Sequence, residues 1–283
     1  MDSLLFLAHG SAEVKQQTLF SICSALFAEG ANVGSRADFK IVVYTDDVTY
    51  FSKFLGEVSF IEYRTINAEQ VRIWKGRDDF IHRVKLEVLK NHFEKESGRL
   101  IYCDGDTLFL SSVGDLFSKI SDATSLMHCR EGRIGDDYNS ICKKLRKFLK
   151  KRKWKLRGEE VEINESTEMW NAGVIGISNS QASNIDLMIE LTDQLFGSYE
   201  KHVMEQLSVS YLLQTYSNIV DTKKEVFHYY LSKRRMNERG NELLRRYDSF
   251  SKLESAWKGE LDDLVKVLGE PDDKKRKKWL GIF

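Results

Sequence analysis

The chain is 283 residues long, and its 43 basic side chains balance its 43 acidic ones. Zero net charge gives no reason to expect a nucleic-acid partner, and no apolar run reaches the length of a membrane span. The length suits one large domain, or one domain with an appendage. Leu4–Ala8 is an apolar run suited to a first buried strand, and Ala12–Ala28 follows with helical periodicity through Leu19, Ile22, Cys23, Leu26 and Phe27. Phe39–Tyr44 reads as a second strand closed by Thr45-Asp46-Asp47, and Val58–Tyr63 as a third. Phe80–Phe93 has the helical period, Leu100–Cys103 is a short apolar strand, and Thr124–Cys129 is another strand after a short helix. Met169–Ser178 adds a late strand, and Ile185–Leu213 is mostly helical. Strands alternating with helices imply an α/β domain of three layers around a mainly parallel sheet.

Acidic residues gather at one of these strand ends. Asp104 and Asp106 follow Leu100–Cys103 with only Gly105 between them. In open α/β sheets ligands lie outside the carboxyl ends of strands. Two carboxylates this close repel unless a cation neutralises them, and oxygen donors suit a hard ion such as Mn²⁺ or Mg²⁺. Gly105 permits a tight turn and leaves room for a phosphate to approach. The alternative is an ordinary Asp-Gly turn.

Three further groups bear on that choice. Asn171-Ala172-Gly173 opens the apolar run Val174–Ile177, where an amide can meet a hydroxylated ligand and Gly173 lets it come close. Glu205-Gln206 interrupts an apolar helix and either faces solvent or enters a site. Phe227-His228-Tyr229-Tyr230 precedes Lys233, Arg234 and Arg235; the histidine is either a core residue or a ligand, and the bases can clamp a phosphate.

Taken in this order, the residues between about Leu4 and Arg235 resemble the GT-A glycosyltransferases, most closely the retaining galactosyl- and glucosyltransferases of glycosyltransferase family 8. The resemblance implies transfer of a sugar from a nucleotide-diphosphate donor, a UDP-hexose being the commonest, to a glycan, lipid-linked or other hydroxyl acceptor. It implies that Asp104, Asp106 and His228 hold Mn²⁺ or Mg²⁺. Ala8, His9, Gly10, Asp46, Arg83, Lys85, Gly105, Ala172, Gly173 and Lys233 are the expected donor-binding residues around that ion, with Arg83 the best match to the family's donor-contacting arginine. Asn171 and Gln206 match residues that hold the transferred sugar, and with Glu205 they form the expected catalytic group. The chain departs from the family after its histidine, where Tyr230-Leu-Ser-Lys-Arg-Arg235 replaces Gly and Lys-Pro-Trp, and at Glu205, where Asp is usual.

Two other readings stay open. Haloacid-dehalogenase-type phosphatases also place two acids one residue apart after a strand, but they want Thr or Val where this chain has Leu108. A non-catalytic protein binding a nucleotide sugar or a membrane is the third. Residues 1–236 are expected to form the GT-A domain, with a basic helical insert at about 138–168 and a helical appendage over 237–283. Lys143–Arg157 contains ten bases and no acid, with Ile141, Leu145, Phe148 and Leu149 on one helical face, and the chain ends in Lys274–Lys278 followed by Trp-Leu-Gly-Ile-Phe283. Each segment is either a solvated face or an interfacial anchor on an anionic membrane. Widely spaced Cys23, Cys103, Cys129 and Cys142, with no signal-like N-terminus, fit a reduced cytoplasmic compartment, with peripheral membrane attachment as an option.

Overall fold

A computed structural model describes residues 1–30, 38–136, 140–150 and 152–268. The chain begins with β1 (Asp2–Ala8), α1 (Ala12–Ala28), β2 (Phe39–Thr45), α2 (Val48–Leu55), β3 (Ile61–Thr65) and α3 (Ala68–Trp74). Each of these helices is started by a short polar cap. Ser11, Asp47 and Asn67 accept hydrogen bonds from the backbone of Val14, Tyr50 and Gln70, which satisfies N–H groups left open in the first turn. Next come α4 (Arg83–Phe93), β4 (Arg99–Cys103), β5 (Thr107–Phe109), α5 (Val113–Ser118), β6 (Thr124–Met127) and β7 (Arg130–Arg133). The remainder is α6 (Ser140–Leu149), β8 (Trp154–Leu156), β9 (Glu159–Val161), β10 (Glu168–Trp170), β11 (Val174–Ser178), α7 (Asn184–Ser198), α8 (Met204–Tyr216), β12 (Asn218–Asp221), β13 (Val226–His228), α9 (Lys233–Arg246) and α10 (Phe250–Leu268).

The central sheet has seven strands in the order β12-β6-β11-β4-β1-β2-β3. All run parallel except β11, which is antiparallel to both β4 and β6. Alternate side chains of a strand enter opposite layers. Leu5, Val42 and Tyr44 therefore join a core built with α3, α4, α6, α7 and α8, while Leu4, Phe6, Ile41 and Val43 join one built with α1, α2, α5, α9 and α10. This is the three-layer α/β arrangement expected.

Several boundaries differ from the sequence expectation. The third strand begins at Ile61, because Val58 donates its N–H to Leu55 and closes α2 instead. The run Met169–Ser178 is two strands, β10 and β11, separated at Asn171-Ala172-Gly173. The long helix over 185–213 is broken at Tyr199 into α7 and α8. The insert is not wholly helical: α6 ends at Leu149, and β8 pairs with β9 as a hairpin. Cys142, Leu145 and Leu149 of α6 lie in the core, so its apolar face is already covered and is not left for a membrane. Residue 236 falls inside α9, and Met236, Phe250, Leu253 and Trp257 share a core with α1. The Lys274–Phe283 end lies outside the described residues.

Candidate metal and nucleotide-sugar site

Strand register assembles the site. Phe6 of β1 lies opposite Cys103 of β4, so the loop Ala8-His9-Gly10 emerges beside Asp104–Asp106. Ala8 is in turn opposite Thr45, which places Asp46 next to that loop. Gly10 takes a left-handed φ of 87° and donates its N–H to Asp46 Oδ2 at 3.0 Å, while Lys15 Nζ is 3.1 Å from the other oxygen. Burial opposes ionisation of Asp46, but the Gly10 N–H and Lys15 outweigh it and lower its pKa.

On the other side of β4, Val174 faces Cys103, and Asp104 N–H donates to Gly173 O at 2.9 Å. β13 pairs with β5, setting His228 against Thr107 and adjacent to Asp106. One ligand atom each from Asp104, Asp106 and His228 lie within 4.8 Å of one another, a spacing that a single divalent cation can span.

The two aspartates have separate cationic partners. Lys85 Nζ reaches Asp104 Oδ1 at 3.1 Å, and Tyr102 donates its hydroxyl to the same oxygen at 3.0 Å. Lys233 Nζ lies 3.2 Å from Asp106 Oδ2. Burial disfavours the Asp106 anion, yet the His228 contact and the Lys233 charge hold its carboxyl below the usual range. Lys85 is only 6% exposed and also donates to Ala172 O at 3.0 Å. Burial would discharge it, but Asp104 and Glu205 more than compensate and raise its pKa. Glu205 Oε1 is 3.4 Å from Lys85 without hydrogen-bond geometry, and burial pushes the Glu205 carboxyl up to about 7.

The hydrogen-bond network around Asn171 decides the histidine tautomer. Gly173 N–H donates to Asn171 Oδ1 at 3.0 Å, and Asn171 Nδ2 donates to Glu131 Oε1 at 2.9 Å, which fixes the amide orientation. His228 Nδ1 sits 3.0 Å from the same Oδ1 and must carry the proton. That leaves Nε2 3.2 Å from Asp106 Oδ1. Two acceptors facing each other need a proton or a cation between them. A metal ion there, with Asp104 as a further oxygen donor, fits the hard-donor set and leaves Nδ1 anchored as metal-bound histidines require.

Most expected residues thus converge, and a few take other neighbours. Arg83 does not join the acids; its guanidinium binds Asp193 at 2.7 Å, Glu87 at 2.7 Å and Trp74 O at 2.8 Å. Lys85, two residues on, faces inward instead. The space at Gly105 belongs to α1, since a Cβ there would meet Thr18 Oγ1 at 2.5 Å, so this glycine serves packing and not the approach of a phosphate. At Gly173 a Cβ would meet His228 Nδ1 at 2.3 Å, so the missing side chain makes room for the histidine ring.

Sequence reasoning missed Glu131. It accepts from both Asn171 and Gln206, the latter from Nε2 at 2.8 Å, and so ties β7 to the first turn of α8. It lies inside β7, four residues past the end of β6, and no local pattern marks it.

The fold defined by this sheet and site is that of the GT-A glycosyltransferases. Solved structures of similar fold include the galactosyltransferase LgtC in complex with donor and acceptor sugar analogues, at 14% identity and a TM-score of 0.51, covering 78% of this chain and 74% of that one. The glycosyltransferase GlyE of Streptococcus pneumoniae TIGR4 is similar at 13% identity, with a TM-score of 0.46 over 78% of this chain and 46% of that one. Mouse xyloside xylosyltransferase 1 is similar at 11% identity, with a TM-score of 0.47 over 78% and 86% of the respective chains. No protein-family profile and no curated relative matches the sequence.

Proposed function

We propose that this protein is a metal-dependent glycosyltransferase that moves a hexosyl group from a nucleoside-diphosphate sugar, UDP-hexose above all, to a hydroxyl acceptor with retention. The observation that carries the reading is the gathering of Asp104, Asp106 and His228, whose ligand atoms lie within 4.8 Å of one another, with Nδ1 of the histidine held by Asn171. Asp104, Asp106 and His228 would hold a divalent cation, Mn²⁺ or Mg²⁺, which would supply Lewis-acid stabilisation to the departing diphosphate.

The chain's own groups then divide the remaining work. Ala8–Gly10 and Asp46 border the nucleotide side, and Lys233 adds positive charge where the diphosphate forms. Asn171 and Gln206, braced on Glu131, present amides to the hydroxyls of the transferred sugar. Glu205 is 3% exposed and orients Lys85, so it is not presented as a nucleophile. Retention then proceeds by front-face attack: the acceptor oxygen bonds to the anomeric carbon as the carbon–phosphate-oxygen bond breaks, and the acceptor proton passes to the leaving diphosphate. The phosphatase alternative needs Asp104 free to attack, whereas Tyr102 and Lys85 occupy its Oδ1. Among the described residues no helix is long and apolar enough to cross a membrane. Peripheral attachment through residues 274–283 remains part of the proposal, and vesicle binding with and without that segment reads it directly.

The test is thermal melting with UDP, with and without Mn²⁺, followed by UDP release from a panel of UDP-hexoses. A ligand that binds only the folded state raises its melting temperature. UDP should raise it more with Mn²⁺ present, and His228→Ala should weaken that dependence. No shift with any nucleotide, together with no UDP release, would overturn the assignment.

A further inference from the structure

A cavity of about 170 Å³ lies between α6 and the turn that leads into α8, lined by Lys144, Leu145, Tyr199, Lys201, His202 and Val203. Its floor is apolar, with Leu145 and Val203 both buried, while Lys144, Lys201 and His202 are exposed at its rim. Lys201 Nζ stands 5.2 Å from the centre of the Tyr199 ring, which holds it over the cavity wall. Among the described residues neither Lys144 nor Lys201 has a carboxylate within ion-pair distance, in contrast to Lys150 and Lys153, which pair with Glu165 and Glu160. Exposed Lys143 and Lys147 on the same helix add to the positive field.

His202 joins the cavity to the surroundings of the candidate site through His82, which feels the charges of Lys85 and Asp104. Val203 lines the cavity, and Glu205, two residues on, faces Lys85. His202 stands 6.5 Å ring to ring from His82, the residue that caps α4 three positions before Lys85.

We propose that the cavity receives an anionic group, a phosphate or a carboxylate, carried by the acceptor glycan. The inference rests on the glycosyltransferase reading and names the chemical class of its acceptor. An apolar floor under two lysines without acid partners suits a sugar ring that bears a negative substituent, since the ring covers the floor and the anion meets the bases.

The experiment compares binding of lactose, lactobionate and lactose 1-phosphate by calorimetry, with and without saturating UDP and Mn²⁺ to fill the diphosphate site. At low salt the two anions should bind at least about tenfold more tightly than lactose, and about 0.5 M NaCl should close the gap. Lys144→Glu with Lys201→Glu should abolish the preference, while UDP affinity and UDP release from the donor stay unchanged. Lys144→Gln with Lys201→Gln provides a milder pair whose folding is checked by its melting curve. Equal binding of the three sugars, or a preference that survives both double variants, overturns the proposal. Binding to phosphatidylglycerol vesicles that the double variants lose, without any preference among the sugars, overturns it in favour of a membrane contact. Absence of UDP binding and UDP release would sink the glycosyltransferase reading, and the sugar titration without nucleotide would still decide the anion preference.

Discussion

Two clusters of charge lie on the same sheet and are built to opposite rules. At its β3 edge, Lys40 lies 2.6 Å from Glu62 and 2.5 Å from Glu96, and Arg64 pairs with the same two acids. Tyr44 and His92 accept or share the remaining Arg64 contacts, at 3.0 and 3.3 Å. Two bases and two acids neutralise each other there, and nothing further is called for. Beyond the carboxyl ends of β1 and β4, the charged partners of Asp104, Asp106 and Glu205 among the described residues are Lys85 and Lys233, and His228 Nε2 lies 3.2 Å from Asp106. The first cluster closes on itself; the second needs a proton or a cation between His228 and Asp106. Perturbed ionisation alone does not separate a structural network from a site, since both have it. The balance of donors and acceptors does.

That comparison is easiest to break by removing acids one at a time. Asp104→Asn should lower metal-dependent UDP release by at least ~10³-fold, because a charged ligand to the ion is lost. The metal-free protein should also melt at a lower temperature, because the buried Lys85 loses the carboxylate nearest to it. UDP release within tenfold of the parent would put the metal elsewhere.

Next in size is the pH response of the open cluster. Glu205 has a folded pKa of about 7 against an ordinary value of 4.5. The folded state therefore holds a proton that the unfolded chain releases first, and its stability falls as pH rises from 4.5 towards 7. For a fully buried group the loss is up to ~3 kcal/mol. Chemical denaturation of the metal-free protein across that range should show the decline, and Glu205→Gln should flatten it. Parallel curves for the two proteins would mean that Glu205 is ionised throughout.

The smallest effect belongs to the closed cluster. Glu96→Gln leaves Lys40 and Arg64 sharing only Glu62, which is itself partly exposed and screened by solvent. A cost of ~1 kcal/mol in urea unfolding is expected, with UDP release unchanged. A change in UDP release would show that the edge network is coupled to the site, and the contrast between the two clusters would fail.

The one-dimensional pattern was enough for the layers of this fold. Apolar runs of strand length alternating with helical periods read as a parallel three-layer domain, because burial on both faces of a strand writes itself into consecutive residues. Asp104, Asp106, His228, Asn171 and Gln206 were legible for a related reason: polar groups at the ends of apolar elements are conspicuous. Tertiary structure decided what sequence spacing cannot carry. The direction of β11 and the break at Asn171–Gly173 follow from which strand it docks beside, and that choice depends on the whole sheet. Arg83 and Lys85 lie two positions apart on one helix and therefore face differently, so packing against α7 turned the arginine to Asp193 and the lysine to Asp104. The helical period had left that choice open. Gly105 and Gly173 have no side chain to announce a purpose; only the approach of Thr18 and His228 from distant segments gives them one. Glu131 joined the site because two amides, 40 and 75 residues away along the chain, converge on its carboxylate, a contact made by folding and invisible in any local window.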